Sequence, residues 1–321
     1  MSNDFRKIAI VGVGSVGASI AYAIMISGLV SEMVLVDLDK NRAQGEAMDL
    51  AHGASFIKPI KVYAGEYSDC HDADIIVFAA GANQKPGETR LDLINKNCKV
   101  VQEALPQLMP PDSPSILLMV SNPVDIVTYV ALQVTDTPVE RIIGSGTVLD
   151  SSRFKYLIGE HCQVATRNIH AYVVGEHGDS EVPLWSRANI MGLPVEDFCC
   201  RLAVSCFNKD EISRRVKEAA YEVIKRKGAT YYAIGLAVKR ICENILRNEN
   251  SILTVSGLLQ GEYGISNVCM SLPAVINRNG RVRPLPVDIA PDELDALIKS
   301  AQILGSTQQK IGYSPAVFDT P

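Results

Sequence analysis

The chain has 321 residues, 47% of them hydrophobic, and a formal charge of −5 at neutral pH, enough length for one large core or two medium ones. Its pI near 5.6 argues against nucleic acid or an anionic membrane as a partner. The longest apolar helical stretch, about residues 16 to 30, is interrupted by Ser19, Tyr22, Ser27 and Gly28, and the N-terminus lacks a basic region followed by an apolar core, so neither a membrane span nor a secretory signal is expected and the location expected is the cytoplasm.

Lys7–Val11 is a β-branched apolar run that reads as a strand. It leads into Gly12-Val13-Gly14-Ser15-Val16-Gly17 and then a helical pattern to Met25. Strand, G-x-G-x-x-G and helix in that order form a dinucleotide-binding fingerprint. The first glycine permits a tight turn, the second lets backbone approach a pyrophosphate, and the third lets the helix pack on the strand. The helix N-terminus offers free N–H groups and a partial positive charge to the phosphates. A second strand, Met33–Val36, ends in Asp37, twenty residues after Gly17. An acid there accepts hydrogen bonds from the adenosine ribose hydroxyls and repels a 2′-phosphate, which favours NAD over NADP.

A helix over Lys40–His52, a short strand over Lys61–Ala64 and a buried strand over Asp74–Ala80 follow. This alternation predicts a parallel sheet covered on both faces. Gly81 to Arg90 is a glycine- and proline-marked loop at the carboxyl end of a strand, where doubly wound sheets bind ligands. A helix from Leu91 to about Leu108 carries the stripe Leu91, Ile94, Cys98, Val101 and Leu105, with Pro106 disrupting its end. The strand Ser115–Val120 ends in Ser121-Asn122-Pro123, before a helix over Val124–Gln133. Asn122 fits two roles equally well: a cap ahead of a proline at the first helical position, or an amide that touches cofactor and substrate. A sixth strand, Arg141–Ile143, precedes Gly144-Ser145-Gly146-Thr147 and a helix with Asp150 and Arg153 on one face. By itself that i, i+3 pair reads as a surface ion pair.

From Ile169 the character changes. Ile169–Val174 reads as one strand that delivers His177, within Gly175-Glu176-His177-Gly178-Asp179, to a sheet edge. Histidine titrates nearest neutral pH and suits proton transfer, although a single histidine in a turn is more often structural. A less regular stretch runs to Asn208. A helical region, Glu211–Arg247, is broken at Lys227 to Thr230; strands flank Asn279-Gly280, a type I′ hairpin signal; and an amphipathic helix, Pro291–Ile311, closes the chain. The eight cysteines have irregular spacing, with no Cys-x-x-Cys and no metal-ligand pattern. Reduced, packed thiols are therefore expected, ahead of a redox pair at Cys199-Cys200, and no metal. The fold class expected is α/β: a Rossmann-type doubly wound parallel sheet over residues 1–147, then an α+β substrate-binding domain over residues 148–321.

The glycine loop, Asn83-Gln84-Lys85-Pro86-Gly87-Glu88-Thr89-Arg90, Ser121-Asn122-Pro123-Val124-Asp125, Leu149-Asp150-Ser151-Ser152-Arg153 and Glu176-His177-Gly178-Asp179 resemble the motifs of the lactate/malate dehydrogenase family. They occur in the family's order, the resemblance covers essentially the whole chain, and the loop resembles that of the bacterial L-lactate dehydrogenases in particular. The resemblance implies an NAD-dependent enzyme of glycolysis and fermentation that interconverts pyruvate and L-lactate, as a cytoplasmic homotetramer. It implies His177 as proton donor and acceptor, with Asp150 orienting the ring and stabilising imidazolium. Arg153 would clamp the substrate carboxylate through two parallel hydrogen bonds. Arg90 would arrive with a closing loop to polarise the carbonyl. Asn122 would touch carbonyl and nicotinamide, and Thr230 would line the substrate pocket. Gly12, Gly14, Val16, Gly17, Asp37, Gly81 and Asn122 would contact the cofactor.

In the family the Gln84 position faces the substrate's variable end, and the malate enzymes carry arginine there. A neutral glutamine suits pyruvate's methyl group but would leave oxaloacetate's second carboxylate unpaired, so malate dehydrogenase is the second reading. Many members activated by fructose 1,6-bisphosphate carry an arginine at the Lys155 position and a histidine at the His170 position. A lysine binds phosphate as a point charge, so Lys155 and His170 are the candidate allosteric residues. An NAD-dependent glycosidase would need a metal-binding cysteine and histidine, which are not apparent. A catalytically silent scaffold would have no need of Arg90, Asp150, Arg153 and His177 together.

Overall fold

The structure is a computed structural model that describes residues 6–82, 87–201 and 208–318. The chain forms two compact units: Met1–Ser145 with Tyr231–Ile252 and Val275–Arg283, and Gly146–Thr230 with Leu253–Ala274 and Pro284–Pro321.

The first unit begins with β1 (Lys7–Val11), α1 (Ser15–Ser27), β2 (Glu32–Val36), α2 (Lys40–His52), β3 (Lys61–Ala64), β4 (Ile75–Phe78), α3 (Arg90–Leu108), β5 (Ile116–Met119), α4 (Val124–Val134) and β6 (Ile142–Gly144). These strands pair in parallel in the order β3-β2-β1-β4-β5-β6. The sheet grows outward from β1 in both directions, which is the doubly wound arrangement the sequence predicts. Every residue of β1, β2, β4, β5 and β6 is buried, as strands covered on both faces must be. The register matters for function. Val11 lies level with Val36 and Phe78, and Phe78 with Met119. The glycine loop after β1, Asp37 after β2, Gly81 after β4 and Asn122 after β5 therefore all leave the sheet at its carboxyl edge.

Helix α1 buries Gly17, Ile20, Ala21, Ile24 and Met25, a single 3.6-residue stripe. Helix α3 buries Ile94, Asn97, Cys98, Val101, Leu105 and Leu108 and packs on α4. It runs two residues past Pro106, and the Met109 N–H still reaches the Leu105 carbonyl at 2.8 Å. So near the last turn, the proline removes one N–H without ending the helix.

The second unit continues with α5 (Val148–Cys162), β7 (Ile169–His170), β8 (Val173–Val174), β9 (Val182–Pro183), β10 (Asn189–Ile190), β11 (Leu193–Pro194), α6 (Val195–Arg201) and α7 (Lys209–Lys227). The single strand expected over Ile169–Val174 is two. β7 pairs with β10, and β8 pairs with β9 in a separate sheet. An apolar run looks the same whether one partner or two cover it, so periodicity could not reveal the break. His177 accordingly sits on the β8–β9 loop. The core of this unit joins Phe154, Leu157 and Ile158 of α5 to Val173, Ile190, Ile212 and Val216, and each such side chain contributes about 1.5–3 kcal/mol by leaving water. Trp185 meets Phe154 edge-on at 4.5 Å and donates its indole N–H to Ser213 Oγ at 2.8 Å.

Gly228 ends α7 in the left-handed region, its N–H on the Ile224 carbonyl. Then α8 (Tyr232–Arg247) returns to the first unit and packs on α1. The chain closes with β12 (Ser251–Gln260), β13 (Ile265–Asn277), β14 (Gly280–Pro284), α9 (Pro291–Lys310) and β15 (Val317–Phe318). The β13–β14 turn is not type I′, because Gly280 has φ +97 while Asn279 keeps a negative φ. A glycine at one left-handed position after a type I turn is the alternative geometry. A Cβ on Gly280 would lie 2.0 Å from the Glu140 carbonyl oxygen.

Candidate active site

The three glycines of the first loop are held to different tasks. Gly12 has φ +89, and a Cβ there would lie 2.4 Å from the Ala80 nitrogen; one on Gly17 would lie 1.9 Å from the Gly12 carbonyl oxygen. The protein itself requires these two. A Cβ on Gly14 would meet nothing within 4 Å, so that position is kept small for what the loop binds. Gly14 is also the N-cap of α1 and gives it no side-chain cap, leaving first-turn N–H groups, beside half-buried Val16, to a phosphate. The Asp37 carboxylate is pinned beside the loop: Oδ2 accepts the Val13 N–H at 2.8 Å and Oδ1 the Asp39 N–H at 3.0 Å. Loop and acid fit a dinucleotide with a free ribose 2′-hydroxyl.

Sequence reading missed Asn97. It is buried, its Oδ1 accepts the Ala82 N–H at 2.7 Å, and its Nδ2 donates to the Asn122 carbonyl at 2.7 Å. One amide thus ties the segment after β4, with Gly81, to the segment after β5. Its signal was available: a polar residue on the apolar stripe of α3, between Ile94 and Val101. Asn122 is exposed and does not cap α4, since Pro123 holds the N-cap position without a side-chain bond. Arg90 is the exposed first residue of α3, behind a capping box in which Thr89 and Asp92 serve each other's backbone N–H. Gln84, with Asn83, Lys85 and Pro86, lies outside the described residues.

In the second unit the structure joins three of the predicted residues. Asp150, in the first turn of α5, is 1% exposed. One of its oxygens accepts from Arg153 Nη1 at 2.7 Å and the other from His177 Nδ1 at 2.6 Å. The surface ion pair suggested by spacing is in fact a buried charge cluster. Burial by itself would raise the Asp150 pKa. The charges and hydrogen bonds of His177 and Arg153 more than offset that and hold the carboxyl below its ordinary range. An ionised carboxylate only accepts, so Nδ1 carries the proton, and Nε2 is the ring nitrogen at which His177 can exchange another.

Hydroxyl groups set this geometry. Thr147 donates its hydroxyl to the Val173 carbonyl, and Ser151 Oγ accepts the Val173 N–H at 2.9 Å. The start of α5, with Asp150, is thereby fixed to β8, which leads to His177. The loop beyond is fixed at Gly175, which exchanges two 2.9 Å backbone bonds with Ser271. On α9, Ser300 Oγ accepts the Glu176 N–H at 2.8 Å and meets Ser180 Oγ at 3.0 Å, while Ser180 donates to the Glu176 carboxylate. Nothing local marks Ser300, because only the fold brings it to this loop.

Of the remaining predicted residues, Thr230 is half-buried, two positions past the Gly228 cap. Lys155 places Nζ 5.3 Å over the Tyr172 ring, and burial lowers its pKa. His170 is exposed on β7, opposite Asn189. Cys199 is buried with its sulfur 3.0 Å from that of Cys162, whereas Cys200 is exposed; all three are free thiols. Among the described residues there is no group of three or more potential metal ligands and no helix long and apolar enough to cross a membrane.

The strand order and glycine loop define a dinucleotide-binding protein. Residues 6–144 match the lactate/malate dehydrogenase NAD binding domain, and residues 147–312 match the alpha/beta C-terminal domain of the same family. The L-lactate dehydrogenase of Acetivibrio thermocellus is 49% identical over 308 residues, covering 95% of this chain and 97% of that protein. That of Clostridium perfringens is 51% identical over 301 residues, covering 93% and 95%. A crystal structure of a lactate dehydrogenase from a Medee basin deep-sea metagenome library superposes with a TM-score of 0.93 at 42% identity, covering 96% of this chain and 99% of that one. The chain belongs to the lactate/malate dehydrogenase family.

Proposed function

We propose that the chain is an NAD-dependent L-lactate dehydrogenase that reduces pyruvate to L-lactate and runs reversibly. The observation that carries this reading is the buried array of Arg153, Asp150 and His177, with His177 Nδ1 on the carboxylate at 2.6 Å. The space in front of Gly14 and the pinned Asp37 support the cofactor. Bound NADH supplies the hydride to the carbonyl carbon. His177 gives its Nε2 proton to the carbonyl oxygen and recovers it in the reverse direction. Asp150 holds the ring in one tautomer and stabilises the imidazolium. Arg153 clamps the substrate carboxylate through its planar fork, which lysine lacks. Arg90 polarises the carbonyl, Asn122 touches carbonyl and nicotinamide, and Thr230 lines the pocket. Gly12, Gly14, Val16, Gly17 and Gly81 hold the cofactor.

Two findings favour lactate over malate: Gln84 in place of the malate enzymes' arginine, and relatives near half identity that bear the name L-lactate dehydrogenase. We assign the enzyme to the cytoplasm as a homotetramer, and Lys155 with His170 to a fructose 1,6-bisphosphate site. A half-buried ammonium whose charge burial disfavours gains most from an arriving phosphate, and titrating the sugar bisphosphate against the pyruvate saturation curve tests this. NADH oxidation by the purified chain with pyruvate, with oxaloacetate and with no keto acid tests the activity itself. Pyruvate should be the better substrate. A preference for oxaloacetate would make the chain a malate dehydrogenase, and no oxidation with either acid would remove the dehydrogenase reading.

A further inference from the structure

One buried acid has no part in the chemistry above. Glu181 is 4% exposed, and its Oε1 has no hydrogen-bond partner among the described residues. It lies on the β8–β9 loop four residues after His177, with its backbone N–H on the Gly178 carbonyl at 3.2 Å. The next residue, Val182, is already in register with Val174. Both side chains therefore project from one short loop whose ends are fixed. His177 is the open one, with 25% of its side chain exposed, and Glu181 is the closed one. Among the described residues, the charges that act most on Glu181 are those of Asp150 and Arg153 on α5, His177 on the same loop, and Lys217 on α7.

A carboxylate with an unpaired oxygen in so enclosed a place is costly, and Asp150 already supplies negative charge nearby. Burial first, and then the Asp150 charge, push the Glu181 carboxyl up to about 8, although His177, Arg153 and Lys217 pull the other way. Enclosure and the missing partner of Oε1 thus favour the neutral carboxylic acid at Glu181.

We propose that Glu181 is a positioning residue for the proton of His177: uncharged at neutral pH, it releases its proton to solvent in alkali, and its charge then keeps His177 protonated to a higher pH. The inference rests on His177 as the proton donor. Each charge favours the opposite charge on the other group, so the two titrate as a pair. Pyruvate reduction, which needs imidazolium, thereby extends to more alkaline conditions than a lone histidine would allow.

Glu181→Gln keeps the shape and removes the ionisation. The alkaline midpoint of kcat/KM for pyruvate should fall by about one pH unit, and the acid midpoint for lactate oxidation should move down with it. A uniform loss with both midpoints in place would mark Glu181 as merely structural and overturn the proposal. The wild-type enzyme gives a second readout that needs no variant. Infrared titration should show a protonated carboxyl carbonyl persisting at neutral pH and vanishing as the pH passes about 8; loss of all carboxylic-acid signal by about pH 6 would sink the idea. NMR titration of the His177 ring without substrate separates this inference from the proposed function. Coupling seen without pyruvate reduction would remove only the function, and reduction without coupling would remove only the role of Glu181.

Discussion

Asp150→Asn tests the centre of the site, because it changes one charge and almost no volume. The carboxylate meets His177 Nδ1 at 2.6 Å, which puts the two charge centres about 4 Å apart. At an effective dielectric constant of about 20, that separation is worth about 4 kcal/mol of support for the imidazolium. Without it the protonated share of His177 at neutral pH collapses, and kcat/KM for pyruvate should fall by roughly 100- to 1,000-fold. The loss has a pH signature. It should shrink about ten-fold for each unit of acidification below the wild-type midpoint, because lower pH restores the missing proton. NADH affinity, followed by fluorescence, should stay within about two-fold, since the cofactor contacts lie elsewhere. Stability follows the opposite course in acid. The Asp150 pKa is depressed from its ordinary 3.8, so its contribution is full above that value and disappears as the pH falls through the lower, folded-state pKa. A loss of less than about ten-fold at neutral pH, or a larger one indifferent to pH, would refute the assignment of Asp150 to the imidazolium.

The other predictions separate folding from binding. Gly14→Ala should leave the urea midpoint unchanged, because a Cβ there meets nothing within 4 Å, yet weaken NADH at least about ten-fold by filling the pyrophosphate's space; unchanged affinity would mean the cofactor does not approach this glycine. Lys7 is 4% exposed, with Nζ 3.2 Å from buried Glu32 and 2.6 Å from Asp72, so Lys7→Met should cost about 3 kcal/mol, the low end for a broken buried pair, because Lys61 at 3.6 Å and the Tyr63 hydroxyl at 2.8 Å stay on Glu32. Adding Glu32→Gln should recover at least about 1 kcal/mol of that in urea unfolding, whereas additive losses would show that the pair is not coupled. Gln84→Arg should swing the kcat/KM ratio from pyruvate toward oxaloacetate by about a thousand-fold, through a new pairing with the second carboxylate; a ratio that stays put would remove Gln84 from the substrate's variable end.

What could be read from sequence was what the chain settles over short distances. The cause of the glycine loop is partly local: Gly17 is required by the carbonyl of Gly12, and Asp37 is one strand away, whereas Gly12 is also required by Ala80, just past the end of the neighbouring strand. The parallel sheet was legible because five of its strands are buried at every residue and carry no alternation that would suggest an open face. Asp150 and Arg153 are the counter-example. Their i, i+3 spacing is the same on a solvated helix as in a core, and what separates the two cases is the cover provided by other elements. α7 packs on α5, and Thr147 and Ser151 bind the start of α5 to β8. The resemblance supplied those roles before any contact was visible, but it did not supply their cause. That cause is long-range: Ser300 reaches Ser180 across 120 residues and Asp150 reaches His177 across 27. Glu181 escaped attention for the same reason. A glutamate after a serine in a polar turn looks solvated until β8 and β9 close the loop around it, and only then is its carboxyl enclosed within reach of the Asp150 charge.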